Sequence, residues 1–133
     1  MEERTALITC YEKYMGTAIK ERFEDKGIKV FTGNYPMRSQ KDCEALINSI
    51  GQIDILVANL AEPPMTGPVH DINNTDWNRL FDSLVHPLMY LVRAVTPKML
   101  ERKTGKIIAI TSAAPLKGIP NNAAYCAARG AQN

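Results

Sequence analysis

Three side chains near the end of the chain are of types that together could move a proton. Ser112 follows the apolar run 107–111 (IIAIT), Tyr125 comes thirteen positions later, and Arg129 lies four beyond it. Four residues is about one helical turn, so the phenol and the cation share a helix face. A hydroxyl, a phenol and a guanidinium can then converge on one substrate oxygen. A free phenol releases its proton only at about pH 10, so a tyrosine acting as a base near neutrality needs a cation beside it. Arginine keeps its charge at every working pH. A tyrosine and an arginine at this spacing are ordinarily a solvated surface pair. What sets these two apart is position, with the serine at the carboxyl end of a strand and the pair on the helix that follows.

The elements that must position them alternate along the chain. Residues 5–9 (TALIT) form a short apolar β-type run, and after Gly16 the residues Ala18, Ile19 and Phe23 fall at helical spacing up to Gly27. Residues 28–32 (IKVFT) repeat the strand signal. Ser39, with Asp42 three positions on, opens a second helix in a capping-box pattern, and Gly51 closes it. Residues 53–58 (IDILVA) are apolar enough to be covered on both faces, as parallel strands are. Pro63, Pro64, Gly67 and Pro68 mark a loop over 62–74 with nothing helical in it. From Asp76, the residues Leu80, Phe81, Leu84, Leu88, Leu91, Val92 and Val95 trace one long helix, in which Pro87 predicts a kink near 84–87. Run 107–111 is the fourth strand, and a last helix begins near Asn122 and runs to Asn133.

This alternation predicts an α/β fold: a Rossmann-like, doubly wound parallel sheet with helices on both faces, in a single domain over 1–133. In such sheets the site lies beyond the carboxyl ends of the strands, here after Thr9, after Ala58 and after Thr111. Composition agrees with one folded domain, since 45% of the 133 residues are hydrophobic and 23% charged, as in ordinary globular chains. Sixteen Lys and Arg against fourteen Asp and Glu are too balanced for a face that binds nucleic acid. No apolar run is long enough to span a bilayer, and the acidic start Met1-Glu2-Glu3-Arg4 is no signal peptide, so a soluble, cytoplasmic protein without a membrane partner is expected. Cys10, Cys43 and Cys126 stand far apart and read as free thiols, and His70 and His86 have no ligand-spaced partners, so no metal is expected.

Ser112 in TSAA, Tyr125 and Arg129 in YCAAR, Asn59 in ILVANLA, Trp77 at the opening of the long helix and the strand GKIIAITS together resemble the short-chain dehydrogenase/reductase superfamily, over essentially the whole chain. The departures from that family are specific. A nucleotide-binding member shows a TGxxxGxG turn after the first strand, where glycines let the backbone approach a pyrophosphate. This chain reads Thr9-Cys10-Tyr11-Glu12-Lys13-Tyr14-Met15-Gly16, keeps only Thr9 and Gly16, and puts the Tyr14 ring where the phosphates would pass. The segment 32–53 is short for the elements that cradle adenosine, and no acidic residue closes the second strand. Leu84 in Asp82-Ser83-Leu84 stands where dehydrogenases carry an asparagine of the proton relay, and Arg129 stands where they carry lysine.

With His86-Pro87, these features resemble the halohydrin dehalogenases, most closely the B-type branch in the segments YMG, IDILVAN, LVHPL and RAV. That resemblance implies a site without a cofactor that converts a haloalcohol reversibly to an epoxide plus halide. Ser112, Tyr125 and Arg129 would be catalytic, and Tyr14, Asn59 and Leu84 would border the halide or substrate pocket. The alternatives are an NAD- or NADP-dependent oxidoreductase with a divergent turn, and a non-catalytic remnant. The resemblance also implies a homo-oligomer formed through the helix 76–100 and the helix after Asn122. Both families continue for about as many residues again. The chain is therefore expected to be an N-terminal fragment holding about half of the fold, cut within the helix of Tyr125 and inactive by itself.

Overall fold

Short apolar runs satisfy their backbone N–H and C=O groups by pairing with one another, and here four of them form a parallel sheet. The computed structural model describes residues 3–33 and 35–133, so Met1 and Glu2 of the acidic start lie outside the description. The strands are β1 (Thr5–Thr9), β2 (Lys29–Gly33), β3 (Ile55–Ala58) and β4 (Lys106–Ala109), in the order β2-β1-β3-β4. Leu7 of β1 pairs with Phe31 on one side and Leu56 on the other. The chain leaves β1 toward one edge of the sheet and returns on its other side. The topological switch point therefore falls between β1 and β3, and a ligand crevice opens beyond their carboxyl ends.

Alternate side chains of a strand point to opposite faces, which divides the core in two. Leu7 and Leu56 pack with Cys43, Leu46 and Ile47 of α2 (Gln40–Ile50) and with Leu91, Val95 and Met99 of α4 (His86–Glu101). Ala6, Ile8, Ile55 and Val57 face the other way, toward Ile19 and Phe23 of α1 (Gly16–Glu24). A third cluster, beyond the strand ends, joins Ala58 and Leu60 to Leu80 and Leu84 of α3 (Asn74–Leu84) and to Ala124 and Ala128 of α6 (Ala123–Gln132). The helix that carries Tyr125 and Arg129 is thereby seated against the end of β3.

The structure departs from the sequence reading in three places. The long helix is two helices, α3 and α4, parted at Val85. Pro87 sits in the first turn of α4, where a missing N–H costs nothing. One 3-10 turn, Val69–Asp71, survives among the prolines of the loop. A four-residue helix, α5 (Ala114–Lys117), follows Ser112 and ends at Gly118 in the left-handed conformation. Its single turn is too short to show a periodicity. β4 forms one edge of the sheet, with Ile107 and Ile108 each 40% exposed.

Cys43 lies wholly inside the α2 layer, and burial, reinforced by the Asp42 and Glu44 carboxylates, pushes its thiol up to about 11. At pH 8 its thiolate fraction is then on the order of one in a thousand. Iodoacetamide labelling followed by peptide mass spectrometry should find Cys43 modified at least about a hundredfold faster in urea than in the native protein. Equal rates would place this thiol at the surface.

Candidate active site

The turn after β1 and the end of β3 are tied together by one side chain. Asn59 is fully buried. Its Nδ2 donates to Cys10 O at 3.1 Å and to Lys13 O at 2.7 Å, while its backbone N–H donates to Thr9 Oγ1 at 3.1 Å. Its Oδ1 is buried without a partner among the described residues. The turn held in this way carries two residues in the left-handed region, Cys10 at φ 45° and Tyr14 at φ 47°. These are two of the three positions where the TGxxxGxG pattern has glycine, and here side chains take the left-handed backbone at about 1–2 kcal/mol each. Gly16 is indispensable in a different way, since a side chain there would run into the backbone of Tyr11. Burial pushes the Cys10 thiol up, against the pull of the Ala61 backbone and Lys13.

Across the crevice, α6 brings Tyr125 and Arg129 to one face, as their spacing predicted. Arg129 is 2% exposed. Its Nε donates to the Tyr125 hydroxyl at 3.1 Å, and its terminal nitrogen donates to Ile110 O at 3.4 Å and to Gln132 Oε1 at 2.7 Å. Its guanidinium carbon lies 5.3 Å from the centre of the Tyr125 ring and 5.8 Å from that of Tyr14. No carboxylate pairs with it among the described residues. The Ser112 hydroxyl accepts a hydrogen bond from Ala114 N at 3.1 Å, which leaves its own proton free to donate.

Tyr14, Met15, Ile110, Thr111, Ser112, Tyr125 and Arg129 line one cavity of about 270 Å³. Four of the six residues singled out from sequence therefore meet there. The other two stand apart from it. Leu84 is a core side chain against α6, with its carbonyl accepting from Gln132 Nε2 at 2.7 Å, and Asn59 supports the turn from within. Gln132 went unread in the sequence, although its place three residues after Arg129 on one helix was a signal. Its amide bridges the guanidinium to the end of α3. Glu62 and Arg79 form an ion pair that pins the proline-rich loop to α3, a link between residues seventeen apart that no local pattern announces. On the far side of the turn, Cys10, Gly33, Tyr35, Pro36, Met37 and Arg38 line a second cavity of about 410 Å³.

The sequence pattern of the family described as short chain dehydrogenase matches residues 2–133. The chain belongs to that family. Among its curated relatives, dehydrogenase/reductase SDR family member 6 of Danio rerio is 31% identical over 117 residues, which are 87% of this chain and 46% of the relative. The NADP-dependent 3-hydroxy acid dehydrogenase YdfG of Shigella flexneri is 30% identical, over 72% of this chain and 40% of the relative. The 2-dehydro-3-deoxy-L-rhamnonate dehydrogenase (NAD(+)) of Sphingomonas sp. (strain SKA58) is 33% identical, over 61% of this chain and 32% of the relative. The chain thus spans about half the length of these relatives or less. Among solved structures, a dehalogenation enzyme superposes with a TM-score of 0.84 at 27% identity, covering 98% of this chain and 62% of the other. ElxO with NADP bound superposes at 0.90, covering 98% and 64%, and at 18% identity that likeness concerns the fold alone.

These relatives overturn the expectation of a site without a cofactor. Two are by name NAD- or NADP-dependent. The physical reason for the correction is in the turn. The replaced glycines predict a backbone that cannot approach a pyrophosphate, yet Cys10 and Tyr14 adopt the left-handed backbone themselves. The helix behind that turn starts at Gly16 with no side-chain cap, so its N-terminal amides are not spent on a capping side chain. With a cavity on either side, this donor set suits a dinucleotide. The described residues contain no helix long and apolar enough to cross a membrane.

Proposed function

We propose that this chain supplies the dinucleotide cradle and the acid–base group of an NAD(P)-dependent oxidoreductase that interconverts a small alcohol and its carbonyl compound. The observation that carries the reading is the half-buried hydrogen bond between Arg129 Nε and the Tyr125 hydroxyl, in a cavity shared with Ser112. The turn from Thr9 to Gly16 and the first amides of α1 would hold the pyrophosphate, with Arg38 at the rim of the neighbouring cavity supplying positive charge. Bound there, a nicotinamide dinucleotide supplies the site for hydride gain or loss. The chain's own part is the proton. Ser112 donates a hydrogen bond to the substrate oxygen, Tyr125 takes the proton from the alcohol or returns it to the carbonyl, and Arg129 holds the phenolic oxygen and stabilises its negative charge.

One observation favours a second reading, dehalogenation. The dehalogenation enzyme at 27% identity joins the arginine at position 129 in suggesting that the same Ser112, Tyr125 and Arg129 could close a vicinal haloalcohol to an epoxide, forming a C–O bond as the C–halide bond breaks. Fluorescence titration of the whole protein with NADH and NADPH tests the first reading. Saturable binding in the micromolar range is expected, together with substrate-dependent change at 340 nm across a panel of small hydroxy acids and ketones. Absence of binding, with bromide released from a bromohydrin, would transfer the site to the second reading.

A further inference from the structure

We propose that Tyr14 is a positioning residue, whose ring, presented from a left-handed backbone, closes over the guanidinium of Arg129 and holds that cation on the Tyr125 hydroxyl. The inference rests on the reading that Tyr125 and Arg129 are the acid–base pair. It starts from a cost. At φ 47° an aromatic residue bears a backbone energy that glycine would not, and the shape of the turn makes glycine the cheaper choice. Packing does not offset this cost, because Tyr14 is 58% exposed. Its ring has another contact, with the Arg129 guanidinium carbon 5.8 Å from its centre.

Arg129 needs such a contact. It is 2% exposed and has no carboxylate partner among the described residues, so its charge rests on the Tyr125 hydroxyl, the Ile110 carbonyl, the Gln132 amide oxygen and the faces of two aromatic rings. The three oxygens bind two of the guanidinium nitrogens. The rings are held independently, one by α6 and the other by the turn after β1. Of the two, only Tyr14 comes from an element that does not itself carry Arg129, and it therefore links the cradle to the acid–base pair. A cation over an aromatic face in a desolvated site is worth enough to fix its orientation, and local strain kept at a functional site is consistent with that use.

The test uses Tyr14→Phe, Tyr14→Leu and Tyr14→Gly in the whole protein, with two readouts. The first is the Arg129 Nε–H resonance in nitrogen-15 NMR, assigned with Arg129→Lys. The second is kcat against KM in the assay that reports activity. Phenylalanine keeps the ring, so the resonance should match that of the native protein, and kcat should fall by much less than with leucine. Leucine keeps the strained backbone and loses the ring. The resonance should then lose part of its ring-current shift, and kcat should fall about tenfold with KM within about twofold. Glycine relaxes the backbone and should lose rate to the same extent as leucine, which assigns the effect to the ring. An unmoved resonance in Tyr14→Leu, or a glycine variant with native kcat, would overturn the proposal. The NMR arm needs no turnover, so a protein without oxidoreductase activity would remove the proposed function and still leave the Tyr14 contact decided.

Discussion

Tyr125→Phe is expected to lower turnover about a thousandfold, within the range that general acid–base groups contribute, with dinucleotide affinity within about threefold of native. The phenolic oxygen is held at 3.1 Å by Arg129 Nε and faces the cavity that Ser112 also lines. Two phenols border that cavity, Tyr14 and Tyr125, and of these only Tyr125 accepts a hydrogen bond from the cation. Tyr14→Phe, which removes the other phenol, should therefore cost far less rate than Tyr125→Phe. The substitution at 125 also strands a buried donor, because phenylalanine offers Arg129 Nε no acceptor, and stability should fall by about 1–3 kcal/mol. Stopped-flow measurement of the hydride-transfer step, with urea unfolding alongside, separates the two effects. A Tyr125→Phe protein that retains more than about a tenth of the native rate would move the proton-transferring role elsewhere.

The meeting of Tyr125 and Arg129 was legible in the sequence because both lie on one helix, where spacing alone sets the face. Ser112 was readable because a strand end in a parallel sheet points at the ligand crevice. The turn after β1 was not readable by the same means. Absence of glycine is a statement about preference, and a turn clamped by Asn59 through Cys10 O and Lys13 O can hold a tyrosine in the left-handed region at a cost the rest of the fold sustains. Preference therefore predicted the wrong outcome for the cofactor. Leu84 shows another limit. Its position was inferred from a motif that places a polar side chain near the substrate, but an apolar side chain at the same point of the helix turns into the cluster with Ala124 and Ala128. The break between α3 and α4 was anticipated from Pro87. The proline itself lies just past the break, where the chain has already left helical pairing at Val85.

Arg129 carries the other large effect, and its variants should separate rate from stability. The guanidinium is desolvated and pairs with oxygens that bear only partial charge, so its burial is costly to the fold. Gln132 cannot turn away from it easily, because the same amide donates to Leu84 O at 2.7 Å and so keeps its oxygen toward the arginine. Arg129→Met fills similar space without the charge. Removing the buried charge favours the fold while leaving the Tyr125, Ile110 and Gln132 oxygens unpaired opposes it, so stability should stay within about 1–3 kcal/mol of native, while kcat falls at least about a hundredfold for want of the donor at the phenol. Arg129→Lys keeps the charge but has no planar fork with which to reach the Tyr125 hydroxyl, Ile110 O and Gln132 Oε1 together. Its kcat should fall by about tenfold, between native and methionine. Thermal unfolding and steady-state kinetics on the three proteins give the test. The expected order is native above lysine above methionine in rate, with methionine close to native in melting temperature. If methionine keeps the native rate, Arg129 is a buried structural cation and the Tyr125 hydroxyl must be activated by something else. If methionine unfolds the protein, the dipoles and rings around Arg129 need the charge for their own order, and the lysine variant then decides the catalytic role alone.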